Sequence, residues 1–138
     1  MSGSGDGDNN TNLKSKTYKT FSKSSFMDVV KALQILGLNR LEATVLAYLL
    51  KKREAYLMDI ERETGLRQPE VSLGLRELKA IGVVELKEAG VARRGRPRKI
   101  AVLKTVQPIL KIVEAKKDEI LEAYRVASEA LRGDELKR

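Results

Sequence analysis

The chain has 138 residues, of which 42% are hydrophobic and only 4% aromatic, and its net charge is +8. This length accommodates one domain with an aliphatic core and an additional helix or tail. Because the chain has no cysteine and no histidine, disulfides, thiolate chemistry and the usual zinc ligands and general base are excluded. We therefore predict no metal site and no cofactor. No apolar run approaches the roughly 18 residues of a membrane span, and a signal-peptide pattern is missing, so we expect a cytoplasmic protein that does not contact membranes.

The positive charge is concentrated in one segment. Residues 87–104 contain seven basic residues and one acid, which gives +6, whereas residues 25–86 and 105–138 are each neutral. In a protein whose whole surface is basic, the positive charge would be spread along the chain. A local cluster instead predicts a binding site for a polyanion such as nucleic acid.

The first predicted elements are a tail and two helices. Residues 1–22 are rich in small polar residues and lysine, which predicts a disordered basic tail whose lysines keep the chain soluble or touch DNA loosely. A helix is predicted over 25–36, capped by Ser25 and ended by Gly37. A second is predicted over 40–52, where Asn39 and Glu42 have the spacing of a capping box.

A helix-turn-helix is predicted next. After a short apolar stretch at 55–57, which could form a brief strand, a helix over 58–64 ends at Gly65. Pro69 suits the first turn of a helix over 69–81. Two helices joined by about four residues that include glycine are typical of the motif. The residues predicted to face the core from the second of these helices are Val71, Leu75, Leu78 and Ile81.

Two short strands and a long helix complete the predicted fold. Residues 83–86 and 100–103 read as strands joined by a loop over 88–99, and a helix over 108–132 ends at Gly133. The predicted fold class is mainly α with a small β-hairpin (α+β). It consists of a winged helix-turn-helix domain over 23–104, a C-terminal dimerisation helix within 105–133 and a disordered end over 134–138.

The second helix of the motif is the predicted recognition helix. Gln68 could read adenine, Arg76 could read guanine or hold a phosphate, and Ser72 could let the backbone approach. The alternative for each is a solvated helix face. The helix is nearly charge-balanced, so we expect it to supply selectivity more than attraction. Gly74 suggests close packing against a neighbouring helix or DNA. The predicted DNA-binding residues here are Arg67, Gln68, Pro69, Ser72, Leu73, Arg76 and Lys79.

The arginine-rich segment is the predicted wing. A glycine at its centre lets the backbone lie against a groove floor, and a proline stiffens it. Such a segment suits the minor groove of A·T-rich DNA, where the negative potential attracts arginine. The alternative is a solvated basic loop. The predicted wing residues are Arg93, Arg94, Gly95, Arg96, Pro97, Arg98 and Lys99.

The last helix carries an apolar stripe that Lys116 and Lys117 interrupt. It could fold back onto its own domain, but a helix of this length suggests pairing with a second copy. We therefore predict a homodimer. The predicted dimerisation residues are Ile109, Val113, Ile120, Leu121, Tyr124 and Leu131.

Three stretches resemble the winged-helix domains of archaeal transcription regulators of the TrmB and MarR/ArsR type. They are Leu38-Asn39-Arg40-Leu41-Glu42-Ala43, Val71-Ser72-Leu73-Gly74-Leu75-Arg76-Glu77-Leu78 and Ile81-Gly82-Val83-Val84. The resemblance implies a dimeric repressor or activator that binds an inverted repeat. Separately, Arg94-Gly95-Arg96-Pro97 resembles the core of the AT-hook, which implies an A·T-preferring wing.

The sequence thus predicts a transcription regulator that binds specific sites on double-stranded DNA as a dimer, in the cytoplasm and associated with the nucleoid. An architectural, nucleoid-type DNA-binding protein is one alternative. A winged-helix interaction module of replication, segregation or transcription machinery is another. We expect no enzyme, because acidic residues occur without a nucleophile, metal-ligand cluster or phosphate-binding loop.

Overall fold

The second predicted helix begins at the predicted residue, and the first begins one residue after the predicted start, with Ser25 as its cap. The computed structural model describes residues 25–91 and 97–137, so the predicted tail over 1–22 lies outside the described residues. Helix α1 spans Phe26–Ile35 and helix α2 spans Arg40–Lys52. Asn39 Oδ1 accepts the Glu42 N–H at 2.8 Å, and the Glu42 carboxylate accepts the Asn39 N–H at 3.0 Å. This reciprocal pair satisfies two N–H groups that the first turn leaves unpaired.

The helix-turn-helix motif is formed by α3 (Leu57–Thr64) and α4 (Gln68–Ala80). Gly65 ends α3 with a φ of +79°, in the left-handed region that glycine adopts without strain. The buried Leu66 follows, and its N–H donates to the Thr64 hydroxyl at 3.2 Å. The turn is therefore held both by a local hydrogen bond and by the core, and the predicted motif is confirmed.

Three strands form one antiparallel sheet in the order β1-β3-β2, with β1 at Glu54–Tyr56, β2 at Val84–Val91 and β3 at Pro97–Leu103. The fold class is the predicted one, with three helices, α2 to α4, preceding a hairpin. The prediction of a loop over 88–99 is wrong, however, because the β2–β3 ladder continues to the pair Val91↔Pro97. Gly90 has a φ of +72° beside an irregularity in register, which lets β2 continue past Glu88.

The core lies between α2, α4 and the sheet. Val71, Leu75 and Leu78 of α4 are buried as predicted, but Ile81 is 40% exposed. Ile81 is the C-terminal cap of α4 and lies past the last helical turn. Val83 takes the predicted place of Ile81 in the core, since it is fully buried and its N–H donates to the Leu78 carbonyl at 2.9 Å. The largest fully buried side chains are Leu46, Leu49, Ile60, Leu75, Leu78, Val45, Val71 and Val83.

Gly74 marks the point where α4 approaches α2 most closely. A Cβ atom on Gly74 would lie 3.1 Å from the Leu41 carbonyl oxygen and 3.2 Å from Val45 Cγ2. The close packing that the sequence suggests is therefore against a helix and not against DNA. This contact holds α4 close to α2.

Helix α5 spans Gln107–Leu136, 30 residues, and is mostly exposed. Gly133 lies inside the helix, so the predicted end at that residue is wrong; no atom lies within 4 Å of a Cβ built there, and the helix is not interrupted. Ile109, predicted in the intermolecular stripe, is instead buried in the chain's own core. None of the described helices has the length and apolarity that crossing a bilayer would require.

Because one tyrosine is buried, the stability of this core depends on pH in the alkaline range. The Tyr48 hydroxyl donates to Glu63 Oε1 at 3.0 Å. Burial, followed by the bond and charge of Glu63, raises the pKa of Tyr48 to about 12. An unfolded tyrosine ionises near 10, so the unfolded chain loses this proton first. The contribution of Tyr48 is fully present below pH 10 and is lost as the pH rises towards 12.

We expect wild type to lose more stability than Tyr48→Phe between pH 9 and pH 11. The measurement is the urea midpoint of the helical circular dichroism signal for both proteins at both pH values. All other titratable groups are the same in both proteins, so their effects cancel in the comparison. Equal losses would contradict the assignment.

Candidate nucleic-acid interface

The face of α4 opposite the core carries the residues that the sequence predicts at DNA. One side of the helix is occupied by the buried Val71, Gly74, Leu75 and Leu78. Helical periodicity therefore turns the remaining positions outward. Ser72 is half-buried and Leu73 is 37% exposed. The other members of the predicted set are also exposed: Arg67, Gln68, Pro69, Arg76 and Lys79.

Gln68, Ser72 and Arg76 form one row along this face, because they are spaced four residues apart on the helix. The Gln68 side-chain amide donates to the Ser72 hydroxyl at 3.0 Å, which holds both groups close to the amino end of α4. Arg76 continues the row and forms no ion pair with any described residue. Polar side chains near the amino end of a recognition helix are those that reach base edges.

The acidic residues of α4 lie on a different side, where α2 engages them. Glu70 Oε2 accepts from the Arg40 guanidinium at 2.7 Å, and Glu77 Oε1 accepts from the Asn39 side-chain amide at 3.1 Å. The Arg67 backbone N–H, and after it Arg40, lowers the pKa of Glu70, so this carboxylate stays ionised. The pair with Arg40 is exposed and adds little stability.

The outward face of α4 is consequently cationic, although its sequence is nearly charge-balanced. Arg67, Arg76 and Lys79 are exposed, while both acids are directed to the amino end of α2. A charge balance counted along the chain does not describe this one face, and the expectation that the helix supplies selectivity more than attraction stays a prediction. Sequence reasoning missed Asn39 and Arg40 as partners, since their contacts join residues 38 and 30 positions apart.

One arginine of the predicted wing, Arg98, contacts an aromatic ring. The Arg98 guanidinium lies over the Tyr56 ring, 4.3 Å from its centre, within the range of a cation–π interaction. Tyr56 is opposite Ile100 in the β1–β3 ladder, so Arg98 is two residues along β3 on the same face. Sequence reasoning missed Tyr56, since nothing local indicates that β1 pairs with β3.

Two acidic residues near the base of the β2–β3 hairpin lie beside basic residues of segment 87–104. Lys99 lies directly across the ladder from Glu88, and Lys104 pairs with Glu85 at 3.1 Å, which lowers the pKa of Glu85. Among the described residues of the hairpin, these two acids therefore stand beside basic residues near its base. Pro97, Arg98 and Lys99 belong to β3 and not to a loop. The remaining predicted wing residues lie outside the described residues: Arg93, Arg94, Gly95 and Arg96.

A helix-turn-helix with an exposed cationic second helix, followed at once by a basic hairpin, defines a DNA-binding domain of the winged-helix class. The family profile described as sugar-specific transcriptional regulator TrmB matches residues 33–108, which is more than half of the chain. The chain belongs to the TrmB family. It is therefore a transcriptional regulator and not an enzyme.

Several solved structures resemble this chain. A transcriptional regulator homologue from Pyrococcus horikoshii OT3 is 18% identical, with a TM-score of 0.48 over 72% of this chain and 96% of its own. A possible transcriptional regulator from Methanosarcina mazei Go1 is 16% identical, with a TM-score of 0.49 over 77% and 86%. A MarR-family regulator from Streptomyces coelicolor, solved in complex with DNA, is 14% identical, with a TM-score of 0.44 over 87% and 90%. No curated protein sequence matches the chain.

Proposed function

We propose that this protein regulates transcription as a homodimer that binds specific sites on double-stranded DNA. In this proposal α4 enters the major groove, and the arginine-rich wing enters an A·T-rich minor groove with AT-hook-like chemistry. The observation that carries the proposal is the outward face of α4, where Gln68 and Arg76 are exposed beside the half-buried Ser72, while both acids of the helix contact the amino end of α2. That face offers base-reading groups without acids directed at the phosphates. In this role the protein is cytoplasmic and associated with the nucleoid.

The wing supplies most of the attraction in this proposal. The five cations from Arg93 to Lys99 stand within seven residues. If about five phosphates are neutralised, the logarithm of affinity falls with the logarithm of salt concentration at a slope of roughly −4 to −5. The hairpin strands support this assignment, because β2 ends at Val91, shortly before the segment, and β3 begins within it at Pro97.

Competition footprinting tests the proposal. The native upstream region is expected to be protected about 1,000-fold better than random DNA of the same length and base composition. A ratio near one would contradict specific regulation and favour an architectural protein, in which the wing dominates and α4 contacts only the backbone.

Removing the polar groups of the α4 row should change sequence choice. Gln68→Ala and Ser72→Ala are each expected to reduce discrimination between the preferred site and single-base variants by about 1–3 kcal/mol, because base-edge contacts carry that discrimination. Binding titrations against a panel of base variants measure it. Ser128→Ala, a serine on the distant α5, is the matched control. A uniform loss across all sequences would show that these residues contact the backbone instead.

A further inference from the structure

Helix α5 presents an apolar face that no described residue covers. Ile109 is buried and Val113 is half-buried against the domain, but beyond them the large apolar side chains are exposed. Tyr124 is 65% exposed and Leu131 is 72% exposed. Arg125 and Glu122 form an intrahelical ion pair at 2.6 Å on another side of the helix. The exposed apolar residues beyond Val113 are Ile120, Leu121, Tyr124, Val126, Leu131 and Leu136.

Part of this face follows the spacing of a coiled-coil seam. From Val113 to Asp134, positions separated alternately by four and three residues form one line along the helix. Five of the seven side chains are apolar or small, and two are charged. The seam residues are Val113, Lys117, Ile120, Tyr124, Ala127, Leu131 and Asp134.

The two charged seam positions distinguish between the possible pairings. In a parallel pair in register, Lys117 would face its own copy, and so would Asp134, which places like charges together. In an antiparallel pair centred between residues 125 and 126, each lysine faces the aspartate of the other helix. The same register places Ile120 opposite Leu131 and Tyr124 opposite Ala127, a large residue against a small one.

We propose that a second copy of this chain covers the seam in the antiparallel direction, with Lys117 opposite Asp134 of the partner subunit. This inference rests on the proposed homodimer and specifies its geometry. Polar residues at seam positions are known to fix register in coiled coils. Lys117 already binds Glu114 of its own helix at 2.8 Å, so the partner adds a second carboxylate to that ammonium.

An antiparallel register centred on residue 122 is less favourable. Shifted by one heptad, it places Lys117 opposite Ala127 and Asp134 opposite Leu110, so both charges lie against apolar side chains. The proposed register also separates the two winged-helix domains. Lys117 and Asp134 are 17 residues apart, or about 26 Å along the helix, so the domains lie at opposite ends of the pair.

Cysteine crosslinking tests direction and register together, because the chain has no cysteine of its own. The full chain carrying Ile120→Cys is co-expressed with the chain carrying Leu131→Cys and then oxidised. A crosslinked dimer is expected only between the two different chains. Self-crosslinking of either single variant would indicate a parallel pair, and crosslinking of Ile120→Cys with Tyr124→Cys would indicate the shifted register. Either result overturns the proposal.

Charge exchange provides the second test. Lys117→Asp and Asp134→Lys are each expected to raise the dimer dissociation constant at least 10-fold in sedimentation equilibrium, and the double exchange is expected to recover most of the loss. A role confined to the helix's own Glu114 pair would give no recovery, and that result overturns the proposal. Lys111→Asp, off the seam on the same helix, is the control. If the crosslinks show a dimer with another geometry, the proposed antiparallel register is wrong but the proposed regulatory function is not affected. If the antiparallel dimer forms but footprinting shows no specific site, the proposed function is wrong but the dimer geometry is not.

Discussion

Replacing Arg94 and Arg96 by alanine is expected to weaken binding to A·T-rich duplex DNA about 100-fold at physiological salt. The salt slope should become shallower by about 2, since each lost phosphate contact removes roughly one counterion from the release on binding. The physical reason is the density of charge in the wing segment, where five basic residues stand between Arg93 and Lys99. In the described part of the hairpin, Glu85 pairs with Lys104 and Glu88 lies across from Lys99, so each of these acids stands beside a different basic residue.

Fluorescence anisotropy over a range of salt concentrations measures both quantities. Lys31→Ala/Lys111→Ala is the matched control, because it removes the same net charge from exposed positions on α1 and α5. It is expected to leave the slope nearly unchanged. If the wing variant bound as well as wild type at moderate salt, the wing would not be the main source of affinity. The comparison of A·T-rich with G·C-rich duplexes then reports on the groove, since the loss should be larger for the A·T-rich duplex.

Gly74→Val is expected to destabilise the fold by about 1–3 kcal/mol. The Cβ atom would lie 3.1 Å from the Leu41 carbonyl oxygen, a backbone atom that cannot move without displacing α2. Better helix propensity than glycine offsets only part of this cost. Because the same contact sets the depth of α4, DNA affinity should fall along with stability. Urea unfolding followed by circular dichroism measures the first effect.

Gly133→Ala is the control for that experiment, since it is also a glycine within a helix. Nothing lies within 4 Å of a Cβ atom at Gly133, so alanine should raise the helicity of α5 and cost nothing in the core. Unchanged stability of Gly74→Val would show that α2 and α4 can separate freely. It would also remove the basis for a fixed recognition helix.

Helix starts and ends were predicted correctly where a capping residue or a glycine marks them. Asn39 and Glu42 begin α2, and Gly65 ends α3, because capping and left-handed backbone depend on atoms within a few residues. The recognition helix was predicted to within one residue at each end, since the apolar period and Pro69 both mark it. The hairpin was predicted with strands that are too short, because Gly90 reads as loop although the ladder continues around it.

The function of individual side chains was harder to predict. Charge counted along α4 suggested a neutral recognition surface, and only the contacts of Glu70 and Glu77 with α2 reveal a cationic one. Ile109 has the spacing of the apolar stripe, yet it packs into the chain's own core. Periodicity shows which face of a helix is apolar but not which surface covers it.

By itself the sequence determined the order of elements, their caps and the location of the positive charge in one segment, because these properties depend on neighbouring residues and on composition. The tertiary structure decided which elements and side chains from distant parts of the chain are neighbours. It placed β1 beside β3 so that Tyr56 lies under Arg98, set Gly74 against Leu41, and turned the acids of α4 towards α2. These contacts join residues about 30 to 42 positions apart in the chain. They arise when distant elements share one core, and no local pattern encodes that arrangement.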